Sequence, residues 1–228
     1  MISHKCKCIF VHIPKAAGQS VEHFFLNLHD LSWEKRGPLL LKFNPDPHRG
    51  PERLAHLKAA EYLRCGHIDE EQFNSYFKFT FVRNPWARLV SEYRYRNYYK
   101  NMSFKKFVLE GLPAESDYFD AYRHIVPQYD FLHDDSGNAI VDFIGRFENL
   151  QADFDYICSK LGINNSQLPH INNSTRGNFL KRQIKKLLFS NKYKERKNYT
   201  DYYDEETKKF VDSFYTKDIE VFNYSFGD

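Results

Sequence analysis

The stretch Cys8–Ser20 constrains the fold most, because it joins a strand pattern to a helix pattern through a turn of small residues. The apolar run Ile9–Ile13 predicts a short buried strand, and Pro14 ends it. The residues beyond the turn have the spacing of one buried helix face: Val21, Phe24, Phe25 and Leu28. A strand, a small-residue loop with Lys15 and a helix N-terminus can hold an anion, although an ordinary strand-to-helix turn has the same pattern.

A second strand-to-helix junction lies within Tyr76–Arg94. Alternating phenylalanines predict a strand up to Val82, with Arg83 at its carboxyl end, and Pro85 suits the first position of a helix. The buried face of that helix has helical spacing: Trp86, Leu89, Val90 and Tyr93. Because ligands of open α/β sheets bind beyond the carboxyl ends of strands, we expect both junctions to line one rim. Four groups would then face a phosphate-bearing ligand: Lys15, Ser20, Arg83 and Ser91.

These two stretches resemble the nucleotide motifs of sulfotransferases that use 3′-phosphoadenosine 5′-phosphosulfate (PAPS). IPKAAGQS resembles the 5′-phosphosulfate loop of the carbohydrate (family 2) branch, usually written PKTAGTS. FVRNPWARLVSEY resembles the 3′-phosphate motif, an arginine at a strand end and a serine eight residues later (91 − 83). The departures are Ala16, Gln19 and Ala87. Asp142–Phe154 and Tyr215–Phe226 resemble later stretches of the family, so the resemblance covers nearly the whole chain.

The resemblance implies an α/β, P-loop-like three-layer fold with a central, mostly parallel sheet flanked by helices. A chain of 228 residues fits one domain, and we expect a single sulfotransferase domain over 1–228. The segment 31–53 is rich in Pro, Gly and charge and is expected to be an acceptor-side excursion. The basic segment 169–200 is expected to be a lid over the nucleotide.

The family comparison also implies a donor site and a reaction. An acceptor hydroxyl would attack the sulfur of PAPS in line and leave PAP, while Lys15 stabilises the leaving phosphate. The implied donor-binding residues are Pro14, Lys15, Ala16, Ala17, Gly18, Gln19, Ser20, Arg83, Ser91, Asn172, Ser174 and Arg176.

A histidine between the two nucleotide motifs is the expected general base, because imidazole has a suitable intrinsic pKa. His56 is preferred, since its H-x-x-A context resembles the family's histidine-containing segment, and His67 is the alternative. His12, at the end of the first strand, is expected to be a structural residue.

The acceptor side is less defined by the sequence. The stretch 93–100 is aromatic and basic, which fits either a solvated helix end or a groove whose tyrosines stack on sugar rings. The resemblance places 117–133 at the border of the acceptor site. The candidate acceptor contacts are Arg94, Arg123, His124 and Gln128.

Composition excludes several other classes. A net charge of +3 is too small for a bulk nucleic-acid binder, and no apolar run approaches the roughly 20 residues of a membrane span. The cysteines lack metal-ligand spacing and are interpreted as reduced thiols: Cys6, Cys8, Cys65 and Cys158. We therefore expect a cytoplasmic enzyme. The family resemblance implies that it requires no metal and acts on a carbohydrate or another hydroxyl acceptor.

Two alternatives remain open at this stage. A P-loop-type kinase or NTPase shares the strand–loop–helix pattern, but Lys15 leads the loop, whereas a Walker A lysine sits just before the helix. A module that binds PAP or a glycan without turnover would keep the same fold. The oligomeric state is not indicated by the sequence.

Overall fold

Four short strands form one mixed sheet, in the order β1–β2–β3–β4, in a computed structural model that describes residues 1–169 and 198–228. The strands are β1 Ile2–Ser3, β2 Cys8–Val11, β3 Phe77–Val82 and β4 Phe143–Arg146. β1 is antiparallel to β2, whereas β2, β3 and β4 run parallel. Parallel pairing brings the carboxyl ends of β2 and β3 to the same edge, as the two junctions require.

Helices connect and flank these strands. In the described residues they are α1 Gly18–Leu28, α2 Ala59–Arg64, α3 Glu70–Ser75, α4 Pro85–Tyr95, α5 Phe104–Glu110, α6 Asp120–Arg123, α7 Tyr129–Leu132, α8 Leu150–Lys160, α9 Glu205–Phe214 and α10 Thr216–Val221. Single 3₁₀ turns lie at Trp33–Lys35, Gly37–Leu39, Pro47–Arg49, Leu54–His56, Tyr98–Lys100, Phe147–Asn149 and Tyr199–Tyr202. Within the described residues, no helix is long and apolar enough to cross a bilayer.

The core lies between the two central strands and the helices that follow them. Phe10 of β2 stacks on Phe79 of β3, with ring centroids 5.2 Å apart. The Thr80 hydroxyl donates to the Val11 carbonyl at 2.7 Å and joins the strands beside the site. The apolar faces expected for α1 and α4 are buried except for the half-buried Leu28, which confirms the helical periodicity. Asn84 accepts a hydrogen bond from the Ala87 amide and caps α4 just before Pro85.

Two helices expected from periodicity are interrupted. The sequence favours one helix over 51–65, but a 3₁₀ turn ends at His56 and a new helix begins after Lys58. The Lys58 amide donates to the Glu61 carboxylate at 2.7 Å, so the Glu61 side chain caps the start of the new helix. The expected helix over 205–222 breaks at Tyr215, whose buried hydroxyl donates to the Ile125 carbonyl at 2.7 Å.

Strand boundaries also differ from the sequence patterns. The first strand stops at Val11 rather than Ile13, and β4 occupies only the last part of the apolar run 139–147. The excursion 31–53 contains 3₁₀ turns, and Phe43 forms a single bridge with Arg53. Most of the expected lid segment, 170–197, lies outside the described residues.

Candidate functional site

The loop after β2 has the backbone shape of an anion site. Lys15 (φ 71°) and Ala17 (φ 67°) adopt left-handed conformations, which residues other than glycine seldom take. Alternation of conformations along a turn points successive N–H groups into one concavity, and helix N-termini carry further free N–H groups. Since Gly18 begins α1 directly after Ala17, the loop and the helix N-terminus form one continuous surface for a phosphate.

His12 packs tightly beneath this loop. A Cβ at Gly18 would lie 1.9 Å from the His12 ring, so only glycine fits there. His12 Nδ1 donates to Glu22 Oε1 at 2.5 Å, and both side chains are buried. Burial opposes ionisation of Glu22, but the adjacent His12 imidazole lowers the carboxyl pKa overall. These contacts support the structural role expected for His12.

Arg83 lies at the end of β3 and reaches the same loop. Its Nη1 donates to the Lys15 carbonyl at 3.1 Å, and its guanidinium lies 4.2 Å from the centroid of the Phe147 ring. Burial lowers the pKa of Arg83 to about 10, against the attraction of Glu148. Among the described residues, Arg83 Nε is the buried side-chain polar atom without a hydrogen-bond partner. A buried guanidinium N–H without an acceptor fits a ligand with phosphate oxygens.

Lys15 is half-buried at the mouth of the loop. Its Nζ lies 3.7 Å from the centroid of the Tyr95 ring, a cation–π contact. Burial lowers the pKa of Lys15 to about 8, although Glu92 opposes the shift. Ser91 is half-buried on α4, one helical turn before Tyr95. Lys15 and Arg83 are therefore brought together, with Ser91 on the helix that follows Arg83.

Arg88, which sequence reasoning missed, connects the loop after β2 to a neighbouring segment of the chain. It is buried, and its Nε donates to the Pro14 carbonyl at 3.0 Å. Its terminal nitrogens donate to the carbonyls of Val126 (2.9 Å) and His124 (3.0 Å). The loop after β2 is thus fixed to the segment that carries His124.

His56 is buried and paired with a carboxylate. Its Nδ1 donates to Asp120 Oδ1 at 2.6 Å. Burial lowers the pKa of His56 to about 4, although the bond to Asp120 opposes the shift. Burial also disfavours ionised Asp120, but the hydrogen bond from His56 holds that carboxyl pKa below its usual range. The ring of His12 meets that of His56 edge-on, with centroids 4.8 Å apart.

A second buried histidine–carboxylate pair lies against the first. His124 Nδ1 donates to Glu92 Oε2 at 2.6 Å, and the ring centroids of His124 and His56 are 5.1 Å apart. The exposed Tyr95 ring stacks on His124 at 5.6 Å. Burial lowers the pKa of His124, against the attraction of Glu92. The two rings are therefore in contact, and each is hydrogen-bonded to its own carboxylate.

Three of these residues also resemble a metal-ligand set. Single ligand atoms of His56, Asp120 and His124 lie within 4.8 Å of one another. Asp120 Oδ2, however, already lies 3.0 Å from Arg96 Nη2 and 3.5 Å from Arg53 Nε. Two guanidinium groups beside the carboxylate disfavour a divalent cation, so the geometry favours an ion-pair network.

Two expected acceptor contacts are instead buried and hydrogen-bonded within the protein. Gln128 is fully buried, and its amide exchanges two hydrogen bonds of 2.8 Å with the backbone of Arg83. Arg123 is buried and forms a bidentate pair with Glu61, at 3.0 and 2.7 Å. Both side chains therefore have their hydrogen-bond partners within the protein.

The remaining predicted site residues lie in separate places in the structure. His124 is buried within the network, and Arg94 is exposed on α4. His67 is half-buried, and its Nε2 bonds to the Arg49 carbonyl at 2.8 Å. Three expected donor contacts lie outside the described residues: Asn172, Ser174 and Arg176.

The carboxylates of the network were missed by sequence reasoning. Asp120 lies 64 positions from His56, and Glu92 lies 32 positions from His124. No local motif joins partners at such separations. The one available signal was the position of Glu92 directly after Ser91, which placed a carboxylate on the helix that carries the predicted 3′-phosphate serine.

Comparison with known proteins agrees with this geometry. The model of the sulfotransferase family matches residues 1–225. An uncharacterized protein of Archaeoglobus fulgidus is 32% identical over 117 residues, which cover 50% of this chain and 91% of that protein. No solved structure matches the chain significantly. With the family model extending over both strand-to-helix junctions and nearly the whole chain, the protein belongs to the sulfotransferase family and is a transferase of that kind.

Proposed function

We propose that the protein transfers the sulfuryl group of PAPS to a hydroxyl of a carbohydrate acceptor, with PAP as the other product. The observation that carries the proposal is the buried Arg83 Nε, which has no hydrogen-bond partner among the described residues and lies on a side chain bonded to the anion-shaped loop at Lys15. Two anion sites joined in this way suit a ligand with a phosphate at each end. The proposal includes the three-layer, P-loop-like arrangement that the family resemblance implies.

The donor-site residues would divide the ligand between them. The backbone of 14–20 and Lys15 would hold the 5′-phosphosulfate, and Arg83 with Ser91 would hold the 3′-phosphate. Bound PAPS supplies an activated sulfuryl group. Lys15 and the loop amides would stabilise the oxygen that gains negative charge, which is a large catalytic contribution in buried sites.

His56 is the proposed base. With a pKa of about 4 it is neutral at pH 7, and donation from Nδ1 to Asp120 leaves Nε2 to accept a proton. The acceptor O–H bond breaks and its proton passes to Nε2, while the oxygen forms a bond to sulfur. The bond between sulfur and the phosphate oxygen breaks, and PAP leaves with that electron pair.

An exposed aromatic ring supports a sugar acceptor. Tyr95 is 54% exposed, and its ring lies beside both Lys15 and His124. Aromatic faces at the entrance of a site pack well against the apolar face of a pyranose ring. Tyr95 therefore marks the acceptor side of the proposed site.

Nucleotide selectivity tests the donor site. In calorimetric titrations we expect PAP to bind far more tightly than AMP, ADP or Mg-ATP, because Arg83 recognises the 3′-phosphate. The Arg83→Ala variant should lose at least tenfold in PAP affinity, the scale of one charge-assisted hydrogen bond. Preference of the wild-type protein for Mg-ATP would replace the proposal with a kinase or NTPase.

A matched pair of histidine variants tests the assignment of His56 as the general base. His56→Asn should lower the transfer rate from labelled PAPS to a panel of soluble glycans by about 10²- to 10⁴-fold, with PAP affinity retained. His67→Asn should leave the rate near wild type, because its ring bonds to the Arg49 carbonyl. A protein that binds PAP and transfers nothing would be a binding module without turnover.

A further inference from the structure

Arg96 connects the two histidine–carboxylate pairs. It follows the last residue of α4, and its side chain is 26% exposed. Arg96 Nε donates to Glu92 Oε1 at 2.6 Å, and Nη2 donates to Asp120 Oδ2 at 3.0 Å. One planar guanidinium thus spans both carboxylates of the network.

The two carboxylates have different histidine partners. Glu92 accepts from His124, and Asp120 accepts from His56. Asp120 Oδ2 also lies 3.5 Å from His124 Nε2. Movement of Arg96 would therefore shift both imidazoles relative to each other. A lysine ammonium has no comparable fork, because it carries its charge at a single point.

The position of Arg96 in the chain links the network to the donor site. α4 begins at Pro85, two residues after Arg83, and it carries Ser91 on the way to Arg96. A helix of 11 residues behaves as a rigid element over this distance. The Arg96 clamp, which is the guanidinium that bridges the two histidine–carboxylate pairs, is thus joined through one rigid helix to both predicted 3′-phosphate contacts.

We propose that Arg96 is a positioning residue that holds the His56–Asp120 and His124–Glu92 pairs in register for proton transfer. The inference rests on the proposed function for its catalytic meaning, whereas the clamp itself is a structural feature of the chain. Arg96 acts through Asp120 and Glu92 and touches neither donor nor acceptor in this scheme.

Several charged groups face the clamped histidines. His56 and Asp120 are approached by His12 and Arg53, and Glu22 lies close enough to interact with His56. Arg96 itself lowers the pKa of His124, although burial is the larger cause. Removal of its positive charge should therefore raise the pKa of His124, since a charged imidazolium would then be less disfavoured.

The test compares Arg96→Met, which removes charge and fork, with Arg96→Lys, which keeps only the charge. Lys106→Met, on the exposed side of α5, is the charge-matched control. Histidine ¹⁵N NMR of the PAP-bound protein follows imidazole titration and the Nδ1–H tautomer, with His56→Asn and His124→Asn spectra for assignment. PAP affinity is measured on each variant by calorimetry.

Arg96→Met should raise the His124 titration midpoint and weaken the hydrogen-bonded Nδ1–H signals of both histidines. Arg96→Lys should keep the midpoint near wild type yet still weaken the signals. With a glycan panel and labelled PAPS, both variants should lower kcat by about tenfold to a hundredfold, with PAP affinity unchanged.

Unchanged histidine signals in Arg96→Met would overturn the inference, as would equal loss of PAP affinity in both variants, which indicates a general structural role. The NMR and calorimetric measurements do not need an acceptor. A wild-type protein that transfers no sulfuryl group would instead contradict the proposed function. Failure of the Arg96 inference and failure of the proposed function are therefore distinguishable.

Discussion

At the scale of single residues, the site is defined by two cations whose pKa values are lowered by burial. Lys15 and Arg83 are cations with lowered pKa values, and the buried Nε of Arg83 finds no acceptor within 1–169 and 198–228. Desolvated cations in a cleft favour a highly charged anion, because ligand binding restores the electrostatic partners that burial removed. Lys15 is the more informative of the two, since its pKa of about 8 lies within an accessible range.

We predict that PAP affinity depends on pH through Lys15. Above pH 8 the free ammonium loses its proton, so affinity should fall by up to about tenfold per pH unit. Lys15→Arg stays charged, and its affinity should remain flat over this range. Calorimetry from pH 6.5 to 9.5 distinguishes the two, with Lys15→Met expected to bind weakly throughout. An equally steep decline in Lys15→Arg would assign the titration to another group.

At the scale of elements, two parallel strands and the helices after them bring the motifs together. β2 and β3 end at one edge, so the loop before α1 and the start of α4 are neighbours. The approach of α1 to this edge depends on Gly18, because the His12 ring occupies the space of any side chain there. The anion loop is therefore shaped from below by the same histidine that contacts His56.

Gly18→Ala should disturb both the packing and the site. Its Cβ would overlap the His12 ring, and we expect a loss of about 1–3 kcal/mol in the free energy of unfolding together with weaker PAP binding. Gly37→Ala is the matched control, because a Cβ there meets nothing within 4 Å, and it should change stability by less than about 0.5 kcal/mol. Urea denaturation measures both. Similar stabilities for the two variants would show that His12 moves aside at little cost.

At the scale of the whole molecule, the network of buried histidines and carboxylates joins segments from most of the chain. Glu22 lies on α1, Glu92 on α4 and Asp120 at the start of α6, and each carboxylate holds one histidine ring. Breaking one such pair leaves a buried group without its partner, which is costly. Global stability should therefore respond to protonation within this network.

We predict that thermal stability falls as the pH drops from about 6.5 to 4. The pKa of His56 is about 4 in the folded protein and 6.5 in an exposed histidine, so acid protonates the unfolded chain first. The His56 contribution is complete above pH 6.5 and lost toward pH 4, whereas the lowered pKa of Asp120 places its effect below this window. In His56→Gln the slope of Tm against pH should be shallower. An unchanged slope would exclude His56 as the titrating group.

The sequence alone determined the parts of the protein that depend on local pattern. Alternating and helical periodicity predicted β3 and α4, and the turn chemistry after β2 predicted the loop that contains Lys15. Arg83 was placed at a strand end for the same reason. Its partnership with Lys15 followed from a general property of parallel sheets. These features are short in sequence, so neighbouring residues carry enough information to specify them.

Only the tertiary structure decided which side chains meet across the chain. Gln128 and Arg123 had the chemistry of acceptor contacts, but packing buried them against Arg83 and Glu61. The helix expected around His56 begins only after Lys58, where the Glu61 carboxylate accepts from the Lys58 amide. Charged pairs such as His56 with Asp120 form only when separate elements dock. Burial, and with it every altered pKa of the site, is a property of that docking rather than of any local sequence.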